Sequence, residues 1–211
     1  MNKLRLIIIF ILLCLFTLLL SYYHYVTFEL NVFKTSKLIS AFDKSSKVRF
    51  SWGNSKYYLV KFSAYTIYLF FKILTITSLL YLRLTLINFV SNVRKLFFLV
   101  LKAEFIFLLP LVFEIFYFTF INKNFNKLDI QNFFPLSAIN ISGYEGLEPW
   151  YIYPLQTLNL FEIAYIIYLG FQVAKLTHSK PDEGLKIVVL SYVPALLLWV
   201  STIMFLTLSY S

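Results

Sequence analysis

Five long apolar runs constrain the fold of this chain more than any other feature of its sequence. The first extends from Leu6 to Leu20 without a charged residue, and the later ones approach or exceed the roughly 20 residues with which an α-helix crosses a bilayer. Unpaired backbone groups are so costly in lipid that a spanning segment must be a helix or part of a closed barrel. The runs lack the alternating pattern of barrel strands. The sequence therefore predicts an all-α, polytopic transmembrane helical bundle.

The predicted bundle is a single integral membrane domain that covers residues 1–211. Its expected spans lie at about residues 6–21, 62–82, 96–121, 153–174 and 187–208. Pro110 and Pro194 lie inside the third and the fifth span. Because proline has no backbone N–H, each of them predicts a kink in its helix.

The first apolar run has two possible interpretations. Its length fits both the core of a signal peptide and a short spanning helix. No small-x-small cleavage pattern follows it, and Ser21 precedes the sequence YYHY, whose aromatic residues are typical of a membrane interface. We therefore expect an uncleaved helix.

The segment between the first two spans, residues 24–60, is more polar than the spans. Apolar positions between residues 32 and 42 predict a short amphipathic helix, and the Gly-Asn pair of SWGNSK, residues 51–56, predicts a turn. Lysine and arginine side chains are spread along the segment. We expect it to lie on the membrane surface with these side chains near lipid headgroups.

Composition supports a membrane protein and argues against a nucleic-acid-binding one. Hydrophobic residues make up 60% of the chain and charged residues 14%. Soluble domains average about 45–50% apolar residues and about 25% charged residues. The formal net charge of +9 comes from basic residues that mostly flank the apolar runs, a pattern typical of contacts with lipid headgroups. The lipid bilayer is therefore the expected partner, and nucleic acid is not.

The sequence offers few residues for catalysis. It has two histidines, His24 and His178, and one cysteine, Cys14. A five-span topology places the histidines in loops on opposite sides of the membrane. The HExxH, GxSxG and phosphate-binding glycine patterns are absent. We therefore expect no enzymatic activity, catalytic residue, metal site or cofactor, with Cys14 in a packing or lipid-facing position. A membrane-embedded hydrolase is the least favoured alternative.

Polar residues inside the predicted spans are the candidates for a functional or a packing role: Lys72, Glu104, Glu114, Asn159 and Glu162. An ionisable residue at bilayer depth costs about 2.5–3.5 kcal/mol on insertion scales, so it tends to face a partner or water. If the second and third spans form an antiparallel hairpin, Lys72 approaches Glu104 or Glu114. A structural ion pair is the first interpretation, and a proton or ion path is the second.

Asn159 and Glu162 lie three residues apart near the start of the predicted fourth span. In a continuous helix this spacing places them on one face. They could be a working site, a wet edge or packing determinants, and we favour packing because interhelical hydrogen bonds suffice to orient a helix. Lys102, near the start of the third span, is expected to extend its ammonium group to the interface.

Three stretches of the second half form a pattern: AEFIFLLPLVFEIF, FFPLSAINI and LNLFEIAYIIYLG, the last followed by KLTHSKPDEGLK. Over about residues 96–205 this pattern resembles the Yip-domain family of five-span membrane proteins, particularly its bacterial members. The resemblance implies a five-span bundle in a bacterial cytoplasmic membrane. The acidic-Tyr-Gly-Pro motif of eukaryotic members is absent, so small-GTPase binding does not carry over.

The resemblance also decides the orientation of the predicted bundle. Basic residues divide almost equally between the two sides, so the positive-inside rule does not decide it. The family pattern implies a cytoplasmic N-terminus and a cytoplasmic 175–186 loop. It further implies a non-enzymatic role in organising membrane or partner proteins. The alternative is a transporter or channel component that uses the intramembrane glutamates and lysine.

Overall fold

A computed structural model describes residues 3–29, 44–89 and 91–210. Within these ranges the chain is helical, with turns, loops and one isolated β-bridge between Ser137 and Asn159. Five helical segments of the described ranges are long and apolar enough to cross a membrane: Leu4–Phe28, Phe62–Leu86, Val93–Ile121, Leu160–Thr177 and Pro181–Tyr210. The predicted all-α, five-span fold class is confirmed.

The first two spans are long helices. Helix α1 covers Lys3–His24 and ends in a π-helical turn, and helix α2 covers Lys44–Leu86. The predicted turn at residues 51–56 is wrong, because α2 runs through it. One interior glycine costs a helix only about 1 kcal/mol, too little to end one this long. The predicted amphipathic helix at residues 32–42 lies outside the described residues, and the surface location of residues 24–60 stays a prediction.

The third span changes helical type along its length. Helix α3 covers Val93–Ala103, a 3-10 helical turn covers Glu104–Leu108, and helix α4 covers Leu109–Phe116 before a final π-helical turn. The 3-10 turn ends two residues before Pro110. The missing N–H of this proline predicts a kink, which stays a prediction. Pro194 lies within a continuous helix, and a kink there stays a prediction.

Short helices connect the third span to the fourth: α5 at Lys127–Gln131, α6 at Ile139–Ser142 and α7 at Pro149–Thr157. The fourth span itself is helix α8, Leu160–Thr177. The predicted start of this span at residue 153 is wrong, because the backbone of Asn159 is extended (φ −138°, ψ 162°) and separates α7 from α8.

Contacts from the preceding loop stabilise the break between α7 and α8. The N–H of Ala138 donates to the carbonyl of Leu158 at 2.9 Å, and the N–H of Leu160 donates to the carbonyl of Leu136 at 3.1 Å. Backbone groups released from a helix need such partners in an apolar environment. The sequence pattern did not reveal the break, because the pairing partners lie at least 20 residues earlier in the chain.

Helix α9, Pro181–Tyr210, packs closely against α8. Gly184 makes this approach possible, because a Cβ atom built there would lie 2.6 Å from Cβ of Ala174. Small residues at such crossings let two helical backbones come close together. Further along, α9 packs against α7, where Trp199 Nε1 donates to the hydroxyl of Tyr153 at 2.8 Å.

The core lies between α2, α3, α8 and α9. Its fully buried apolar side chains include Ile73, Leu80, Leu101, Leu169 and Val188. Large apolar side chains on the outer faces remain exposed, such as Phe71 and Leu198. Outward apolar surface of this extent suits helices that face lipid.

Candidate functional site: a buried polar network

Five polar side chains from four spans lie at one level inside the bundle, and we call them the polar network. Its members are Lys72, Glu104, Glu162, Tyr165 and Tyr192. In each of the four spans, we count from the end that lies nearest the turn between α8 and α9. Each member of the network is about 11 to 15 residues from that end. At 1.5 Å per residue, this distance is roughly 17–22 Å. The network therefore lies far from this end of the bundle, between α2, the third span, α8 and α9, with Glu162 in the first turn of α8.

An ion pair between the second and third spans is the centre of the network. Lys72 Nζ donates to Glu104 Oε2 at 2.9 Å, with side-chain exposures of 22% and 1%. The ammonium group also lies 3.7 Å from the ring centroid of Phe107, where the ring face attracts a cation. The predicted pairing of Lys72 with a carboxylate is present, and the partner is Glu104 rather than Glu114.

The second carboxylate oxygen of Glu104 has its own partner on α8. The hydroxyl of Tyr165 donates to Glu104 Oε1 at 2.9 Å, and Tyr165 is fully buried. Its ring lies 4.8 Å from that of Phe107. Both oxygens of a buried carboxylate are thus hydrogen-bonded, as burial of such a group requires.

A second tyrosine–carboxylate pair joins α8 to α9. The hydroxyl of Tyr192 donates to Glu162 Oε1 at 2.6 Å. The rings of Tyr165 and Tyr192 lie 5.5 Å apart, so the two pairs meet through ring contact. The network therefore connects four spans through side chains, and the packing role of Glu162 stays a prediction.

Asn159 has a different role from Glu162. It precedes α8 and caps it: Oδ1 accepts from the backbone N–H of Glu162 at 2.8 Å, while Nδ2 donates to the carbonyls of Gln156 and Thr157 at 3.0 Å each. Asparagine is a favoured residue at this position. The prediction that Asn159 and Glu162 share one helical face is wrong, because Asn159 is not in the helix.

Glu114 lies outside the network and pairs with the first span. His24 Nε2 lies 2.9 Å from Glu114 Oε1, with side-chain exposures of 11% and 16%. The prediction that His24 lies in a loop is wrong, because it is the last residue of α1. The imidazole ring packs against Phe28 at 5.3 Å between centroids. The pair therefore joins α1 to α4.

The remaining candidates have simpler surroundings. Lys102 is exposed, and its Nζ lies 4.4 Å from the ring centroid of Phe98. Cys14 is half-buried, and its carbonyl accepts from the hydroxyl of Thr17 at 2.8 Å. Within the described residues, no three His, Cys, Asp or Glu side chains come together in a group that could hold a metal ion.

Sequence reasoning missed the partners of the carboxylates: Tyr165, Tyr192 and His24. A usable signal was present for the tyrosines. Tyrosine favours membrane interfaces, and its hydroxyl usually has a hydrogen-bond partner when buried. A tyrosine in the middle of an apolar run therefore indicates an acceptor on another helix.

The groups of the polar network can act in two ways. Its hydrogen bonds and ion pair can hold four helices in one arrangement, and its carboxylates and hydroxyls can exchange protons. A scan against protein-family models, a search of curated proteins and a search of solved structures found no match. The choice between the two therefore depends on the contacts of the network itself.

Proposed function

We propose that this multi-pass integral membrane protein has a non-enzymatic role, in which it organises lipids or partner proteins within the bilayer. The observation that carries the proposal is the closed contact geometry of Glu104. Both of its carboxylate oxygens are bonded by side chains of other spans, and its side chain is 1% exposed. A carboxylate enclosed in this way fixes the arrangement of helices, whereas a transported solute needs an opening beside it.

The proposal extends to the family and the location that the sequence resemblance implies. Five candidate spans are compatible with a Yip-like arrangement. The sequence resemblance further implies a bacterial cytoplasmic membrane, with the N-terminus and the 175–186 loop on the cytoplasmic side. Single cysteines at positions 45 and 180, introduced into a Cys14→Ser background, test this orientation with a membrane-impermeant thiol reagent. We expect labelling from opposite sides, and labelling from one side would contradict the proposed topology.

A proton path is the second candidate function. The observation that favours it is the presence of two carboxylates and two tyrosine hydroxyls at one level of the bundle, with the tyrosine rings 5.5 Å apart. Ionisable groups in this position commonly mark proton relays.

Proton flux into liposomes distinguishes the two functions. The purified protein is reconstituted with an internal pH-sensitive dye, and an inward proton gradient is imposed. We expect the parent, Glu104→Gln and Glu162→Gln to give the same rate as protein-free liposomes. The matched control is Lys102→Gln, which removes an exposed charge from the same span as Glu104. Flux in the parent and the control that either glutamate substitution abolishes would replace our proposal with proton transport.

A further inference from the structure

A cavity of about 410 Å³ lies at the end of the bundle that carries the turn between α8 and α9. This volume is within the range of about 300–1,000 Å³ that is typical of small-molecule pockets. Its lining comes from the end of α2, the segment that follows α2, the α8–α9 turn and the start of α9. None of its lining residues belongs to the polar network, so the cavity is a separate feature of the molecule.

Two cationic side chains line this cavity: Arg83 from α2 and Lys186 from α9. The Nε atom of Arg83 is buried and has no hydrogen-bond partner among the described residues. Buried N–H groups normally have an acceptor. Arginine recognises phosphate particularly well because its planar guanidinium offers parallel donors. The unpartnered donor therefore points to a phosphate-bearing ligand.

A carboxylate lies in the same lining. Glu183 belongs to the first turn of α9, and within the described chain it forms no ion pair with Arg83 or Lys186 at 4.0 Å or less. A ligand with phosphate alone would bring no hydrogen-bond donor to this carboxylate. A ligand that also carries an ammonium group would pair with both the cations and the carboxylate of the lining.

We propose that this cavity, which we call the headgroup pocket, binds the phosphoethanolamine headgroup of a phospholipid. Arg83 and Lys186 hold the phosphate, and Glu183 accepts hydrogen bonds from the ammonium group. Choline has no N–H to donate, so phosphatidylcholine fits less well. This inference rests on the proposed function, because it names a lipid as the partner.

The position and the apolar part of the lining favour a lipid over a soluble phosphate ester. Ile87, Phe89 and Ile187 line the cavity beside its charged groups, which gives the acyl end of a lipid an apolar contact. The cavity also lies at the ends of three spans, and basic pockets between such helices bind lipid headgroups.

Native mass spectrometry of the full chain in detergent tests the proposal. The probes are phosphatidylethanolamine, phosphatidylcholine and phosphatidylglycerol with identical acyl chains. We expect the parent to bind phosphatidylethanolamine about tenfold more tightly than the other two, since one charge-assisted hydrogen bond has about that effect. Arg83→Gln and Lys186→Gln should each weaken this binding about tenfold, again the effect of one such bond. Glu183→Gln should shift the preference to phosphatidylglycerol.

Lys175→Gln is the matched control, because Lys175 is an exposed cation at the same end of the bundle and does not line the cavity. It should retain the preference of the parent. Equal binding of the three lipids by the parent, or unchanged binding in both cation variants, would overturn the proposal. If Arg83→Gln fails to fold, the binding measured for Lys186→Gln and Glu183→Gln tests the proposal.

A soluble competitor distinguishes a membrane phospholipid from a soluble phosphate ester as the ligand. Glycerophosphoethanolamine at the concentration of the lipid should leave the lipid bound, and complete displacement would overturn the assignment to a phospholipid. The flux measurement is independent of this binding. Proton flux with lipid preference intact would reject the proposed function alone, and loss of preference without flux would reject the headgroup pocket alone.

Discussion

Glu104 and Glu114 lie on the same span, about three helical turns apart, and each bonds a side chain from another helix. Glu104 begins the 3-10 turn, is 1% exposed and receives hydrogen bonds from a lysine and a tyrosine. Glu114 belongs to a regular helix, is 16% exposed and bonds one histidine. The first partner of Glu104 is a lysine side chain, whereas the partner of Glu114 is an imidazole.

The difference shows how the surroundings of a membrane carboxylate set its role. Glu104 lies among four spans, so its contacts fix the centre of the bundle. Glu114 faces α1, the span with the least buried surface, so its contact attaches one peripheral helix. Two glutamates on one span thus contribute unequally to the stability of the bundle, and substitutions can measure the difference.

Glu104→Gln should have the largest effect on stability. The amide keeps the size of the side chain and an acceptor for Tyr165, but it leaves the ammonium group of Lys72 without a carboxylate. Removing one partner of a buried ion pair typically costs about 3–5 kcal/mol. Equilibrium unfolding in mixed micelles should therefore show a loss of this size.

The double variant Lys72→Met with Glu104→Gln is the control for that loss. Because it removes the unpaired charge as well, it should be more stable than Glu104→Gln alone. Lys72→Met alone supplies the second single loss. A double variant that is less stable by the sum of both single losses would show that the two side chains act independently, and the ion pair would not be the centre of the network.

Tyr165→Phe should have an intermediate effect. It removes one hydrogen bond to Glu104 and keeps the ring contact with Phe107. A hydrogen bond to a charged group contributes about 1.5 kcal/mol, and we expect a loss near that value. The same unfolding measurement should resolve it, with Tyr168→Phe, a tyrosine of the same helix outside the network, as the control expected to change little.

The spans were predictable from sequence because they depend on local composition. Runs of apolar residues set the starts of the first three spans within a few residues. The start of the fourth span was not predictable, because a loop far away in sequence pairs with the backbone at Leu158 and Leu160. Long-range backbone pairing leaves no periodic signal.

The candidate site was predictable only in part, for a related reason. Charged residues in apolar runs identified Lys72 and Glu104, since each needs a partner in lipid. Which carboxylate the lysine meets depends on how the second and third spans pack against each other, and that packing involves buried side chains of both, such as Ile73 and Leu101. The tyrosine partners were missed because a hydroxyl is a weaker signal than a charge.

Glu114→Gln should have the smallest effect of the three single substitutions. Glutamine keeps an oxygen that accepts from His24, so only the charge of the pair changes. Interhelical hydrogen bonds in membrane proteins average about 0.6 kcal/mol, and we expect a loss of no more than about 1 kcal/mol on that basis. His24→Gln supplies the other single variant of a double-mutant cycle, which isolates the pair from the surrounding packing. If Glu114→Gln lowered stability as much as Glu104→Gln, the attachment of α1 would matter as much as the polar network, and the contrast between the two carboxylates would fail.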